Sequence, residues 1–580
     1  MILKVNQRKT ALVGGYYVQR CNDGSYKEER GTILYEEGII KKIMPDVLTT
    51  AQAKQKLGQD TFCIQLDSSF HIYPGLIDIH NHIDYNLMPI WERPIYEPWD
   101  NRHEWRHINC SEYQKIIKGL RSYISDKNVT KEFEISGIEI MLQYLAEIQA
   151  LSGGTTVLQE PTELFDDQSL RSQHLLLRST GVPRDLGLLP SQFVDSIIDF
   201  FRPDIAANTN KLYYPHQITS QWFAYPYKSS NGNVPITKYI EFLKQCSIED
   251  IKRSTGGYIV HLAEGRAGNL LAGEDEKKGL GMDQYSKKEF ETLKTLLQRI
   301  PNYVEKVAAS RLTIIHGCGI DLENIENIRF INDCKIRLVW SPVSNLLLYD
   351  DTPNFLDSRI DKNLLCLGSD WAPSGSKHIW DECLFARQFA LNRCNVNKKE
   401  LNDRIFNMIT YNPAQTLNPN RLGQIKEGCY ADFYIVSKNK KLPDQVKLDD
   451  SNFDFSDKYT MGTIIDGNLV FGAEELFKLF ESAYNTHIDR CSVKCSDERE
   501  LKAYYPDKLL QYFSLRKKNQ EIDIEIFLKK IDAIFKEYSD KIGFSLLRSE
   551  FLSSEDPRYL NQIDKLKRRF CPHKFDNSEV

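Results

Sequence analysis

No run in this 580-residue chain approaches the roughly 20 consecutive apolar residues that cross a bilayer, so no membrane partner is expected. Basic charge is not in excess either. The 75 lysines and arginines stand against 80 acidic residues for a net charge of -5, and nucleic acid is not expected as a partner. The thirteen cysteines are odd in number and scattered, which excludes the regular disulfide framework of a small secreted scaffold. The opening MILKVNQRKTALVGG lacks the charged lead, apolar run and cleavage site of a secretory leader, and a cytoplasmic location is expected. Internal repeats and low-complexity stretches are absent.

What remains is ordinary in bulk. Hydrophobic residues make up 41% and charged residues 27%, as in water-soluble globular proteins, and the length is enough for several cores. Residues 1–73 fall into short strand-like pieces, TALVGGYYVQ, GTILYEEGIIKKI and TFCIQL, separated by turn chemistry such as CNDGS; they predict a small β-domain. From residue 74 to 420, short apolar runs alternate with longer amphipathic stretches, the texture of βα units around a parallel sheet. The predicted strands are Leu76–His80, Thr155–Gln159, Leu186–Leu189, Tyr258–His261, Leu312–His316, Arg337–Trp340 and Leu364–Asp370, with an eighth between Lys211 and Tyr227. A span of roughly 345 residues suits a (β/α)8 TIM barrel with insertions. Beyond it, GQIKEGCYADFYIV and MGTIIDGNLVFG return to the N-terminal β-domain through residue 475. Residues 476–580 read as a helical C-terminal extension. There Ile524, Ile526, Phe527, Ile531, Ile534 and Phe535 line one helix face, packed on the body or on a partner subunit, either a second copy or another protein.

Several apolar runs end in residues that ligate metals: His80 and His82 in PGLIDIHNH, His261 in YIVHLAEG, His316 in LTIIHGCG, and Asp370 in LLCLGSDW. Ligands at the C-terminal rims of separate strands can converge on one ion in the mouth of a barrel. His80 and His82, two apart, share one side of a strand. Glu264, three residues past His261, can turn back over the ion as a proton shuttle; its plain alternative is a carboxylate in the first turn of a helix. His316 reads either as a ligand or as the donor that orients water. Asp370 reads as a carboxylate ligand with a share in base duty, or as a helix N-cap.

Taken in order, PGLIDIHNH, GGTTV, HLAEG, IIHG, SPVSN and GSDW resemble the amidohydrolase superfamily. Within it they are most similar to the mononuclear branch of cytosine and guanine deaminases and triazine hydrolases. The resemblance spans residues 1–475 and implies a barrel flanked by a β-sandwich built from residues 1–73 and 421–475. It also implies one divalent metal ion, zinc or alternatively iron(II), on His80, His82, His261 and Asp370. Glu264 would be the proton shuttle and His316 the water- and substrate-orienting residue or a variable ligand. Binuclear members carry a carbamylated strand-end lysine; the fourth-strand region offers none, so a single ion is expected. The implied reaction is hydrolysis of a non-peptide C–N bond in a small cyclic amidine or amide, in the form of deamination of a nucleobase-like heterocycle. A ring-opening cyclic amidase, a dehalogenating hydrolase, and a silent barrel that binds partners through its tail are the alternatives.

Two stretches depart from the pattern: the aromatic, charged loop YNLMPIWERPIYEPWDNRHEWRH and the long tail. Tyr85, Trp91, Arg102 and Trp105 of that loop, with Asn345 and Trp371 after later strands, are the candidate substrate-binding residues. Aromatics there could stack on a flat ring and an arginine could grip an anion. Cys491, Cys495, Cys571 and His573 could form a zinc knot, but reduced cysteines in a helical tail are the favoured reading.

Overall fold

The computed structural model describes residues 8–88, 98–106, 113–133, 138–160, 174–189, 191–197, 235–268, 281–394, 398–437, 460–494, 500–506, 509, 524–543 and 566. The chain opens with β1 (Thr10–Arg20), β2 (Tyr26–Glu36), β3 (Ile39–Met44), β4 (Phe62–Gln65) and β5 (Phe70–Pro74). Among the described residues, eight parallel barrel strands follow: β6 (Leu76–Asp78), β7 (Thr155–Leu158), β8 (Arg178–Ser179), β9 (Phe193–Ile197), β10 (Thr255–Leu262), β11 (Leu312–His316), β12 (Arg337–Trp340) and β13 (Leu365–Leu367). The chain then returns to the first sheet through β14 (Phe433–Ser437), β15 (Thr460–Ile465) and β16 (Asn468–Ala473).

The barrel strands pair as β6-β7-β8 and β9-β10-β11-β12-β13. A parallel bridge between Asn81 and Asp370 joins the first strand to the last and closes the barrel on that side. Strand interiors alternate. Ile77, Val157, Ile259, Ile315, Val339 and Cys366 form one buried cluster inside the barrel. Tyr258, Val260, Leu312, Ile314, Leu338 and Leu365 belong to a second, which packs against the surrounding helices. This two-residue period explains why the runs read as continuous apolar strands: both faces are covered.

Two predicted barrel strands lie elsewhere. The third strand is Arg178–Ser179 and not Leu186–Leu189, because Pro183–Leu186 forms a 3-10 turn that Gly187 ends at φ 68°, breaking the apolar run LGLL. The strand beside β10 is Phe193–Ile197, upstream of the predicted window; residues 211–227 lie outside those described.

The flanking β-sandwich domain is, among the described residues, a ten-stranded sheet to which segments before and after the barrel contribute. Between β15 and β16, Asp466 (φ 52°) and Gly467 (φ 74°) make the two-residue left-handed turn that matches strand twist in a hairpin. The sheet reaches further than residue 475. After the helix Glu474–Tyr484, β17 (Arg490–Lys494) and β18 (Glu500–Tyr504) pair with each other and β18 pairs with β16. The expected helical extension therefore begins as helix and then contributes two strands, in which polar residues alternate with buried Cys491, Val493, Leu501 and Ala503. The helix Ile524–Ile542 buries Ile524, Phe527, Ile531, Ile534, Phe535 and Tyr538; Ile526, expected on that face, is 53% exposed. Among the described residues no helix is long and apolar enough to cross a membrane.

Barrel and sheet are joined by a buried charge cluster. The Arg178 guanidinium of β8 donates to Asp432 Oδ2 at 2.6 Å and to Asp466, and lies 3.8 Å from the centre of the Tyr430 ring. A guanidinium this buried costs several kcal/mol to desolvate, which a bidentate carboxylate partner offsets.

Candidate active site

The C-terminal ends of β6, β10, β11 and β13 bring His80, His82, His261, His316 and Asp370 together. His80 Nε2 lies 3.2 Å from Asp370 Oδ1 and 3.2 Å from His261 Nε2. His82 Nε2 is 3.7 Å from Asp370 Oδ1, and His316 Nε2 is 4.0 Å from Asp370 Oδ2. Two overlapping triads, His80–His261–His316 and His80–His82–Asp370, each place their ligand atoms within 4.8 Å of one another.

The outer ring nitrogens explain why the inner ones face the centre. His261 Nδ1 is 3.3 Å from the Ile197 carbonyl, which can only accept, so Nδ1 carries the hydrogen and Nε2 keeps its lone pair. His316 Nδ1 meets Asn345 Oδ1 at 3.1 Å; the Asn345 amide is oriented by its own donation to Thr352 Oγ1 at 3.2 Å. His80 Nδ1 is held by Ser341 Oγ at 3.0 Å. Burial pushes His82 down to about 3, and holds His261 well below and His316 below the ordinary histidine value. Burial alone would raise Asp370, but the surrounding His80, His316 and His82 hold its carboxyl well below the usual carboxylate range. The 3.2 Å between His80 Nε2 and His261 Nε2 is about the spacing of two ligands on one tetrahedral ion. This nitrogen-and-carboxylate donor set fits a divalent transition metal.

Backbone strain accompanies the site. His316 (φ 66°), Asp370 (φ 60°) and Ala263 (φ 56°) all adopt the left-handed conformation that side-chain-bearing residues rarely take. Ile315 faces the barrel interior, so strict alternation would send His316 outward; the positive φ turns its ring back over the mouth.

Glu264 sits beside the cluster, 4% exposed, with Oε2 3.5 Å from His316 Nε2 and 3.6 Å from Arg102 Nε. Its Oε1 accepts from Tyr349 Oη at 2.6 Å, and Tyr349 Oη accepts from Trp105 Nε1 at 2.9 Å. Its carbonyl is held by Arg102 N and Ser286 Oγ, which seats the 98–106 loop on the end of β10. Tyr349→Phe is expected to destabilise the fold by about 2 kcal/mol, since it strips a partner from a buried carboxylate and from an indole N–H. Urea unfolding measures this; an unchanged midpoint would show that the phenol is dispensable.

A cavity of about 490 Å³ opens above the cluster, lined by His82, His261, His316, Asp370 and Glu264 at its buried end. Of the candidate substrate residues, Tyr85, Arg102, Trp105 and Trp371 line it. Trp105 stacks on Trp371 with centroids 5.5 Å apart and 19° between planes, and Tyr85 meets Trp371 edge-on at 5.3 Å. Trp91 lies outside the described residues. Asn345 is fully buried behind His316 and does not reach the cavity; its short amide is spent on the imidazole. The sequence reading missed Ser341 and Tyr349, although both stand in SPVSNLLLY, directly after β12. It also missed the wall formed by residues 113–125. The zinc-knot reading cannot be drawn here: Cys495, Cys571 and His573 lie outside the described residues, and Cys491 is buried with its Sγ 2.9 Å from Tyr144 Oη.

Comparison with known proteins bears on the same half of the barrel. Residues 260–470 match the model of the Amidohydrolase family, and this stretch carries His261, Glu264, His316 and Asp370. No curated protein sequence matches. Among solved structures, an atrazine chlorohydrolase from Arthrobacter aurescens with zinc is similar at 12% identity and a TM-score of 0.47, covering 82% of this chain and 99% of that one. An adenosine deaminase from Xanthomonas campestris with bound zinc is similar at 15% identity and a TM-score of 0.46, over 83% and 98%. A guanine deaminase from C. acetobutylicum with bound guanine is similar at 14% and 0.43, over 80% and 100%.

Proposed function

We propose that the protein is a metal-dependent amidohydrolase that cleaves a non-peptide C–N bond in a cyclic amidine or amide, in the form of deamination of a nucleobase-like heterocycle. The observation that carries this is the convergence of ligand atoms, His80 Nε2 lying 3.2 Å from both His261 Nε2 and Asp370 Oδ1, with the Glu264 carboxylate on the same cavity wall. His80, His82, His261 and Asp370 would hold one divalent ion, zinc in the first instance. Such an ion supplies Lewis acidity and brings the pKa of water from 15.7 towards about 7.

The chain's own residues do the rest. Glu264 takes the proton of the attacking water as oxygen bonds to the ring carbon. It then returns that proton to the departing nitrogen as the C–N bond breaks, so the carboxylate ends as it began. Tyr349 fixes the Glu264 rotamer, and His316 steadies charge on the attacked centre. The stacked Trp105–Trp371 pair and Tyr85 offer flat apolar walls for a ring.

The test is elemental analysis together with ammonia release from a panel of aminated heterocycles. One equivalent of transition metal per chain and chelator-sensitive release are expected. A protein free of stoichiometric metal, or a metal-loaded one inert on amides, amidines and esters, would leave a barrel used for binding.

A further inference from the structure

The cavity has a second chemical character at its open end. Residues Tyr113–Gly119 form a π-helical turn that runs directly into the helix Leu120–Ile124. Lys118, Arg121, Ser122 and Ser125 of this segment all line the cavity. They stand at positions i, i+3, i+4 and i+7, one face of a helix, while Ile116, Ile117, Leu120 and Ile124 bury the other in the core. The polar face thus presents two fixed cations and two hydroxyls to the cavity. Burial orders the two ends: His261, Glu264, His316 and Asp370 are almost wholly buried, whereas Lys118, Ser122 and Ser125 are exposed and Arg121 half-buried.

Charge is divided in the same way. Among the described residues, Arg102, Arg106, Lys118 and Arg121 line the cavity, and the lining carboxylates, Glu264 and Asp370, both sit at the buried end. A divalent ion on the histidines would make the excess of positive charge larger. Arg121 is also held in place: its Nη1 donates to Tyr85 Oη at 2.6 Å and its guanidinium lies 5.2 Å from the centre of the Tyr85 ring. The pair therefore links the basic face to the aromatic wall.

The C-terminal helix fixes the segment from behind. Tyr538 Oη donates to the Lys115 carbonyl at 2.6 Å, and Tyr538 packs 5.0 Å from Tyr123. A Cβ at position 119 would come within 2.0 Å of Tyr538 Oη, so glycine is required for this approach. One hydrophobic cluster contains Ile116, Leu120 and Ile124 together with Phe527, Ile531, Ile534 and Phe535. The long tail is thus a brace for the cap over the cavity.

We propose that the substrate carries an oxyanion, a carboxylate or a phosphate, at the end remote from the scissile C–N bond, and that Lys118 and Arg121 bind it with Ser122 and Ser125. The term substrate rests on the hydrolase reading above; the anion subsite itself does not. The site offers N–H and O–H donors on a preset face, the chemistry that recognises oxyanions.

Calorimetric titration of the full-length, metal-loaded protein with benzoate, phenyl phosphate and neutral benzamide tests this. At least one anion is expected to bind about tenfold tighter than benzamide, and which one does so names the group. Lys118→Met/Arg121→Met should abolish the preference for anion over benzamide while metal content stays unchanged. If the double variant does not fold, the exposed Lys118→Met alone should reduce it severalfold, and added salt should do so in the wild type. Anions bound no tighter than benzamide, or a preference that survives in the variants, would overturn the proposal; survival would place the anion on the metal or Arg102. A protein that takes up no stoichiometric metal yet binds anions through this cap would sink the hydrolase reading and leave the subsite standing.

Discussion

Glu264→Gln is expected to lower kcat by roughly 10²–10⁴-fold while the protein keeps its metal, the range typical of losing a general acid–base. The substitution is close to isosteric. A glutamine carbonyl can still accept from Tyr349 Oη, which now donates at 2.6 Å, so the local packing should survive. What disappears is the ability to take a proton and hand it on. Steady-state kinetics on the substrate found in the ammonia-release panel, run beside metal analysis, reads this directly. Near-normal turnover with metal retained would remove Glu264 from the chemistry, and a loss of metal would reassign it as a ligand.

Asp370→Asn is expected to cost more in metal affinity than the about 10–100-fold typical of removing an outer partner, and turnover should fall with it. Asparagine is the informative choice. Asp370 sits at φ 60°, which asparagine tolerates and alanine resists by about 1–2 kcal/mol, so the alanine variant would mix strain relief and refolding with ligand loss. The backbone bond from Asp370 N to the His80 carbonyl at 2.9 Å does not depend on the carboxylate. Competition with a chromogenic chelator measures the affinity. Unchanged affinity would exclude Asp370 from the ligand set and leave the three-histidine group.

The five converging residues were legible because each ends an apolar run, and a run buried on both faces of a barrel is the strongest pattern a short strand can write. His261 shares the parity of Ile259, so its inward direction could be read from the alternation. His316 could not be oriented that way, because its left-handed backbone overrides parity. The third barrel strand was invisible for a different reason: it is two residues long, and its arginine is buried by pairing with carboxylates and not by apolarity. FVDSI was passed over because Asp195 and Ser196 interrupt its apolar character, while LGLL, with the stronger pattern, is broken by Pro183 and Gly187. In the tail, the alternation of β17 and β18 is carried by residues as modest as Cys491 and Ala503, which charged neighbours outweigh in any window average. The basic face at 118–125 was missed because residues at helical spacing look like any solvated face until the core behind them is known.

The Arg178 cluster has a consequence for how this architecture can be inherited. The cation belongs to the barrel, and Asp432 and Asp466 belong to the sheet assembled from segments before and after the barrel. A barrel transplanted without its sheet would carry an arginine stripped of both counterions in its flank. The two parts are therefore not exchangeable modules, and a lineage that alters one must keep the other in step.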